Sequence, residues 1–152
     1  MAFDHERLDV YRRALELVVV AHEVAANLPK GRGYLTDQLR RAATSIPLNI
    51  AEGAGEFAPQ DKARFYRIAR RSATETAAIL DVCRNLELLA EDQHRGAREL
   101  LIRIVSMLTR LAQRGDESAS LRARAGARAG AREGESGNSA AAPPRTELPD
   151  TP

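Results

Sequence analysis

Tryptophan is absent, cysteine occurs once, and aromatic residues make up only 4% of the chain. A single cysteine, Cys83, excludes an intrachain disulfide framework and a cysteine-built zinc cage. Scarce aromatics suit a helical core packed by Leu, Ile, Val and Ala. Lysine is nearly missing too: of 23 basic residues only Lys30 and Lys62 are lysines. No run of about 18 apolar residues occurs, and the opening MAFDHERLDVY is acidic and polar. A transmembrane helix and a signal peptide are therefore not expected, so the expected location is cytoplasmic, with no membrane partner.

What is present points to a soluble globular domain. Charged residues are 29% and hydrophobic residues 43% of 152 residues, the size of one common domain. Composition breaks near Gly115. Residues 116–152 hold five Arg against six Asp plus Glu, which leaves about +3 of the chain's net +2 on residues 1–115. That stretch is rich in Gly, Ala, Ser and Pro and too poor in large apolar residues to offset its ordering entropy. The expected organisation is a helical domain over 3–114 and a disordered tail over 115–152. Within the tail AGARAGAR (125–132) is a small repeat able to touch RNA as an arginine–glycine segment, although drift of an unconstrained tail is the plainer reading.

Four helical patterns precede the break, placed at about 100° per residue. The first runs from about His5 to Leu28 with Asp4 as its cap. One apolar stripe holds Leu8, Tyr11, Leu15, Val18 and Ala25. A second holds Val10, Ala14, Leu17, Ala21, Val24 and Leu28. Together they cover roughly 200°, more than one core contact needs. The second helix, about Leu35 or Thr36 to Glu52, keeps Leu35, Leu39, Ala42, Ala43, Ile46 and Ile50 on one arc straight through Pro47. Proline inside a helix removes a donor at about 3 kcal/mol, so a continuous helix is expected there, kinked, with Pro47 off the core arc and Thr44 or Ser45 rebonding the freed carbonyl. The third, about Gln60 to Leu89, turns Phe65, Ala69, Ser72, Ala73, Thr76, Ile79, Leu80, Cys83 and Leu86 inward. The fourth, about Asp92 to Gln113, turns Ala97, Leu100, Leu101, Ile104, Met107, Leu108 and Leu111 inward. No segment has a strand pattern. The expected fold is all-α, an antiparallel up-down-up-down four-helix bundle.

Motifs of catalysis and metal binding are weak. GAGEFA (53–58) fits a dinucleotide fingerprint only in letters, because it follows a helix and not a strand. Glu91 and His94 have the spacing of a di-iron ligand pair, but such sites need two copies and further inward glutamates. His5, His22 and His94 fall on separate segments and join no motif. Cys83 lies mid-core, where a thiol usually only packs. No catalytic residue, cofactor site or metal site is expected.

Two polar features remain. Arg64, Arg67, Arg70 and Arg71 occupy about 120° of the third helix opposite its apolar face, with Arg40 and Arg41 on the second helix. Cations in early turns oppose the helix dipole at a few tenths of a kcal/mol each, a penalty a phosphate backbone would offset; a solvated face, with Arg71 reaching Glu75, is the plainer reading. The other feature is a polar stripe, Arg41, Ser45, Asn49 and Glu52, within about 80° beside the second helix's core arc. It suits a partner-binding edge or a buried network fixing helix register.

LDVYRRALELV (8–18), LTDQLRRAATSIPLNIAEGAGE (35–56) and RFYRIARRSATE (64–75) resemble the bacterial four-helix bundle proteins first noticed as reading frames within intervening sequences of 23S rRNA genes. The resemblance covers residues 3 to about 113. It implies an up-down-up-down bundle that assembles as a ring-like homopentamer. It further implies distant kinship to the accessory variability protein of diversity-generating retroelements, a basic bundle that binds nucleic acid and a reverse transcriptase. SIPLNIAEG looks like this family's ending of the second helix, so the proline is a family feature. A net charge near +3 is modest beside a strongly basic nucleic-acid binder. Two functional expectations follow: a non-enzymatic oligomer that binds RNA or DNA through arginines, or a scaffold whose partner is another protein such as a reverse transcriptase.

Overall fold

Helical periodicity dominates the computed structural model, which describes residues 1–136. A 3-10 turn, Asp4–Arg7, leads into α1 (Asp9–Ala26), α2 (Gly33–Gly55), α3 (Pro59–Asn85) and α4 (Glu91–Ser136). No strand occurs among the described residues. The chain divides into two units, Met1–Ala119 and Ser120–Pro152. The first is the four-helix bundle.

Helix ends follow local chemistry more closely than apolar periodicity does. Asp4 does not cap α1; it opens the 3-10 turn, where the Phe3 N–H donates to Glu6 Oε2 at 2.9 Å. Leu8 occupies the cap position of α1 and makes no side-chain cap bond. α3 begins with Pro59, whose missing donor is harmless in a first turn. It stops at Asn85, short of Leu89, because Glu87 adopts φ 60°. There the Leu88 N–H reaches the Cys83 carbonyl at 2.8 Å and the Glu87 N–H reaches that of Arg84 at 2.9 Å. This paired closure normally uses glycine at the left-handed position. Lys62 Nζ donates to the Ala54 carbonyl at 2.8 Å and so satisfies an end group of α2.

The core contains the second α1 stripe, Val10, Ala14, Leu17, Ala21 and Val24, together with Leu39, Ile46, Ile50, Leu80, Ile104 and Leu108. The first α1 stripe fares differently. Ala25 is buried and Leu8, Tyr11 and Val18 are half-buried, while Leu15 is 43% exposed. On α3 the buried ring is Tyr66 and not Phe65, and Leu86 is exposed. Burial raises the Tyr66 phenol above its ordinary value, and the Asp4 carboxylate adds to that push.

α2 runs unbroken through Pro47, as the pattern predicts, but Pro47 is buried and not outside the packed arc. The reason is partner number: α2 packs against both α1 and α3, so its covered arc is wider than a single stripe. The Ser45 hydroxyl does not rebond the freed carbonyl. It pairs with the Ser72 hydroxyl at 2.9 Å and accepts from Asn49 at 3.0 Å.

α4 continues past the composition break at Gly115 to Ser136, well beyond the expected end at Gln113. Gly115 is buried where α4 meets the start of α3; an added Cβ would lie 2.6 Å from the Pro59 carbonyl oxygen. The bundle unit therefore extends to Ala119. Residues 137–152 of the expected tail lie outside the described residues.

Candidate nucleic-acid interface

Antiparallel packing of α2 on α3 sets the level of each arginine. Ser45 sits opposite Ser72, and a Cβ on Gly53 would touch Phe65 and Tyr66 at 3.0 Å. This register places Arg41 level with Thr76. At about 1.5 Å per residue, Arg71 then lies roughly 7 Å and Arg64 roughly 18 Å farther along.

The four arginines of the α3 stripe separate into two pairs. Arg67 is tied to Asp116 of α4 by bonds of 3.1 and 3.0 Å, and Arg70 donates to the Thr109 hydroxyl at 3.3 Å. Arg64 and Arg71 are exposed. Arg64 lies over the Phe65 ring, 4.6 Å from its centroid, and neither it nor Arg71 makes an ion pair among the described residues. The Arg71–Glu75 pair is not formed. Helical angle explains the division: Arg64 and Arg71 are about 20° apart, whereas Arg67 and Arg70 lie progressively nearer α4.

The polar stripe of α2 is a real groove of about 540 Å3, lined by Arg40, Arg41, Thr44, Ser45, Leu48, Asn49 and Glu52. No arginine of α3 lines it. Arg41 and Glu52 are exposed, while Ser45 and Asn49 are half-buried and bonded to each other, with Ser45 also bonded to Ser72. The stripe thus has an inner edge, hydrogen-bonded to α3 through Ser45 and Ser72, and an exposed outer edge at Arg41 and Glu52.

Some polar arrangements escape a reading by single-helix periodicity. His94 is 3% exposed; its Nε2 bonds Asp81 Oδ1 at 2.7 Å and its Nδ1 lies 3.4 Å from Arg84. Both ring nitrogens therefore have partners within the protein. The tie fastens the first turn of α4 to the last turns of α3. Arg103, Arg110 and Arg114 also share an exposed face of α4 within about 40°, and Arg103 and Arg110 border a groove with Asp9 and Arg13 of α1. Their spacings of seven and four residues were legible as one face.

The remaining lookalikes resolve as packing. Gly53, Ala54 and Gly55 are the last turn of α2. Burial raises the Cys83 thiol above its ordinary value, with a smaller opposing pull from a backbone hydrogen bond; this favours the unreactive protonated form. His22 Nδ1 lies 2.9 Å from the Val18 carbonyl. Among the described residues no three His, Cys, Asp or Glu side chains gather as a metal would require, and no helix is long and apolar enough to cross a membrane.

Comparison with known proteins agrees with this architecture. A solved structure at 1.70 Å of a protein of unknown function, from the S23 ribosomal protein family of Bacteroides thetaiotaomicron, is similar at TM-score 0.63 and 23% identity, over 68% of this chain and 97% of that one. That likeness bears on fold alone. A comparison with curated proteins finds no match. The profile of the family described as 23S rRNA-intervening sequence protein matches residues 6–110, most of the bundle. On that match the chain belongs to the 23S rRNA-intervening sequence protein family.

Proposed function

We propose that the protein is a non-enzymatic, oligomeric bundle that binds RNA or DNA through arginines of α2 and α3. The observation that carries this reading is the pair Arg64 and Arg71, exposed on one edge of α3 with no carboxylate partner among the described residues. Arg40, Arg41, Arg67 and Arg70 extend the basic surface. Exposed cations repeated along one edge of α3 would gain charge-assisted hydrogen bonds from phosphate oxygens. Arginine suits the task because its planar fork holds two phosphate oxygens at once. The family's description supports a nucleic-acid setting. Fluorescence anisotropy against a structured RNA and a DNA duplex, from low to moderate salt, tests the reading: binding should weaken steeply as salt rises. Absence of binding at low salt would remove it.

A specific observation favours a protein partner as the second reading. Leu15, Val19 and Leu48 are exposed, Val19 at 57% and Leu48 at 59%, and the α2 groove offers both charge signs, which suits a protein better than a polyanion. Self-association would cover the α1 and α2 apolar residues, at about 25 cal/mol per Å2 of apolar area. A ring of heterologous contacts satisfies such mismatched faces; the number five follows from the family resemblance. Light scattering should return a multiple of the 16.6 kDa chain mass, and a stable micromolar monomer would contradict assembly. An accessory role beside a reverse transcriptase belongs to this second reading.

A further inference from the structure

We propose that Ser120–Arg132 is a basic arm that lays one face of its helix on the phosphate backbone of a polynucleotide. The inference deepens the nucleic-acid reading above and rests on it, but it uses different residues. The segment is helical, and every residue in it is exposed. It carries four arginines, Arg122, Arg124, Arg128 and Arg132, and no acidic residue. Helical spacing gives that charge a direction. Arg124, Arg128 and Arg132 recur every four residues, so they fall within about 80° of one another and rise about 6 Å per step.

Isolated in water this arrangement is unfavourable. Like charges four residues apart repel, and Gly126 and Gly130 each weaken the helix relative to alanine. Packing supplies nothing in return, since the side chains between the arginines are Ala and Gly. A polyanion along the row would turn the repulsion into attraction. The small residues on either side would let the helix approach a phosphate backbone closely. A lipid surface fits less well, because an interfacial helix needs an apolar face and Leu121 is the only large apolar residue of the segment.

The test uses the full chain and anisotropy titrations with a 20-base-pair RNA duplex and a DNA duplex of the same sequence, at 50 to 200 mM salt. One variant combines Arg124→Gln, Arg128→Gln and Arg132→Gln. A second, Arg128→Ala with Ala129→Arg, keeps the charge but moves one arginine about 100° around the helix, to about 60° beyond the row. Loss of three phosphate contacts should make the log–log salt slope shallower by about 3, so a fourfold rise in salt weakens the triple variant about 40-fold less than the wild type. The charge-keeping variant should lose about one unit of slope. Whichever duplex shows this pattern more tightly names the source of the phosphates. If the triple variant keeps the wild-type affinity and slope, the arm is overturned while the bundle arginines stand. If it loses binding and Gln variants at Arg64 and Arg71 do not, the arm stands and the bundle reading falls. Wild-type failure to bind either duplex overturns both, and tighter binding to phosphatidylserine vesicles than to either duplex overturns the arm as a polynucleotide site.

Discussion

The two flanks of α3 are built on opposite plans. Toward α2 the seam is closed: Ala42 and Ala69 are buried, Gly53 lets the helices approach, and the Ser45–Ser72 hydroxyl pair locks the register. Toward α4 the helices are fastened near both ends, by Asp81–His94 at one and by Arg67–Asp116 and Gly115 at the other. Between these ties lies an open groove of about 630 Å3, whose walls include Ala73, Ala77, Leu101, Ile102 and Val105. Small α3 residues produce both results. Facing α2 they let a neighbour come close; facing α4, whose spacing the end ties set, they leave a trough. The closed flank should hold more of the stability, and the open flank should be available surface.

Truncation is the bluntest way to break this contrast. Ile50 is wholly buried, so Ile50→Ala should lose about 3–4 kcal/mol in urea denaturation. Ile102 is 51% exposed at the groove, and Ile102→Ala should change stability by less than about 0.5 kcal/mol. Equal losses would mean that the groove is covered in solution. A loss at Ile102 that grows with protein concentration would identify a second copy as the cover.

Glycine substitutions sharpen the comparison at the points of closest approach. Gly53→Ala meets Phe65 and Tyr66 at 3.0 Å, and Gly115→Ala meets backbone at 2.6 Å. Overpacking should exceed the helix-propensity gain, giving a net loss of about 1–2 kcal/mol, larger at Gly115. Gly126 has open space around it, so Gly126→Ala should raise helicity instead. A stabilising Gly115→Ala would show that α4 does not rest on Pro59 and Ala63.

Pro47→Ala should have a smaller effect: stability unchanged or raised by up to about 1 kcal/mol, because a backbone donor returns to a continuous helix. Clear destabilisation would mean that the packing of the buried ring outweighs the restored donor. The weakest effect near neutrality concerns pH. The folded state raises Cys83 above its ordinary value of 9.0 and Tyr66 above 10.0. Each favours its protonated form in the fold, so their contribution is fully present below pH 9 and is lost as pH rises through the folded values. Melting temperatures should be flat from pH 7 to 8.5 and fall above about pH 9 more steeply in wild type than in Cys83→Ala.

The fold was largely legible because apolar spacing within each helix records which side faces the core. Relations between helices were less so. Pro47 looked peripheral because its own helix reports one stripe, while α2 packs on α1 as well as on α3 and its covered arc is wider than that stripe. Tyr66 and not Phe65 is the buried ring, although both lie against Gly53 where α2 and α3 approach. His94 gave no signal in sequence, since its partner Asp81 sits 13 residues earlier, across a turn closed by Glu87. The arginine stripe was visible as a row, but its division was not. Asp116 lies beyond the composition break, and only the continuation of α4 brings it to Arg67.

That division supplies the most direct test. Salt-dependent binding of an RNA duplex should be measured for the wild type, for Arg64→Gln with Arg71→Gln, and for Arg67→Gln with Arg70→Gln, beside their melting temperatures. The free pair should flatten the log–log salt slope by about 2 with unchanged melting. The tied pair should lower the melting temperature slightly, since surface ties contribute about 1 kcal/mol or less, and should alter the slope less. Equal slopes in all three proteins, or no wild-type binding at low salt, would contradict the claim that unpartnered arginines on α3 are the nucleic-acid contact.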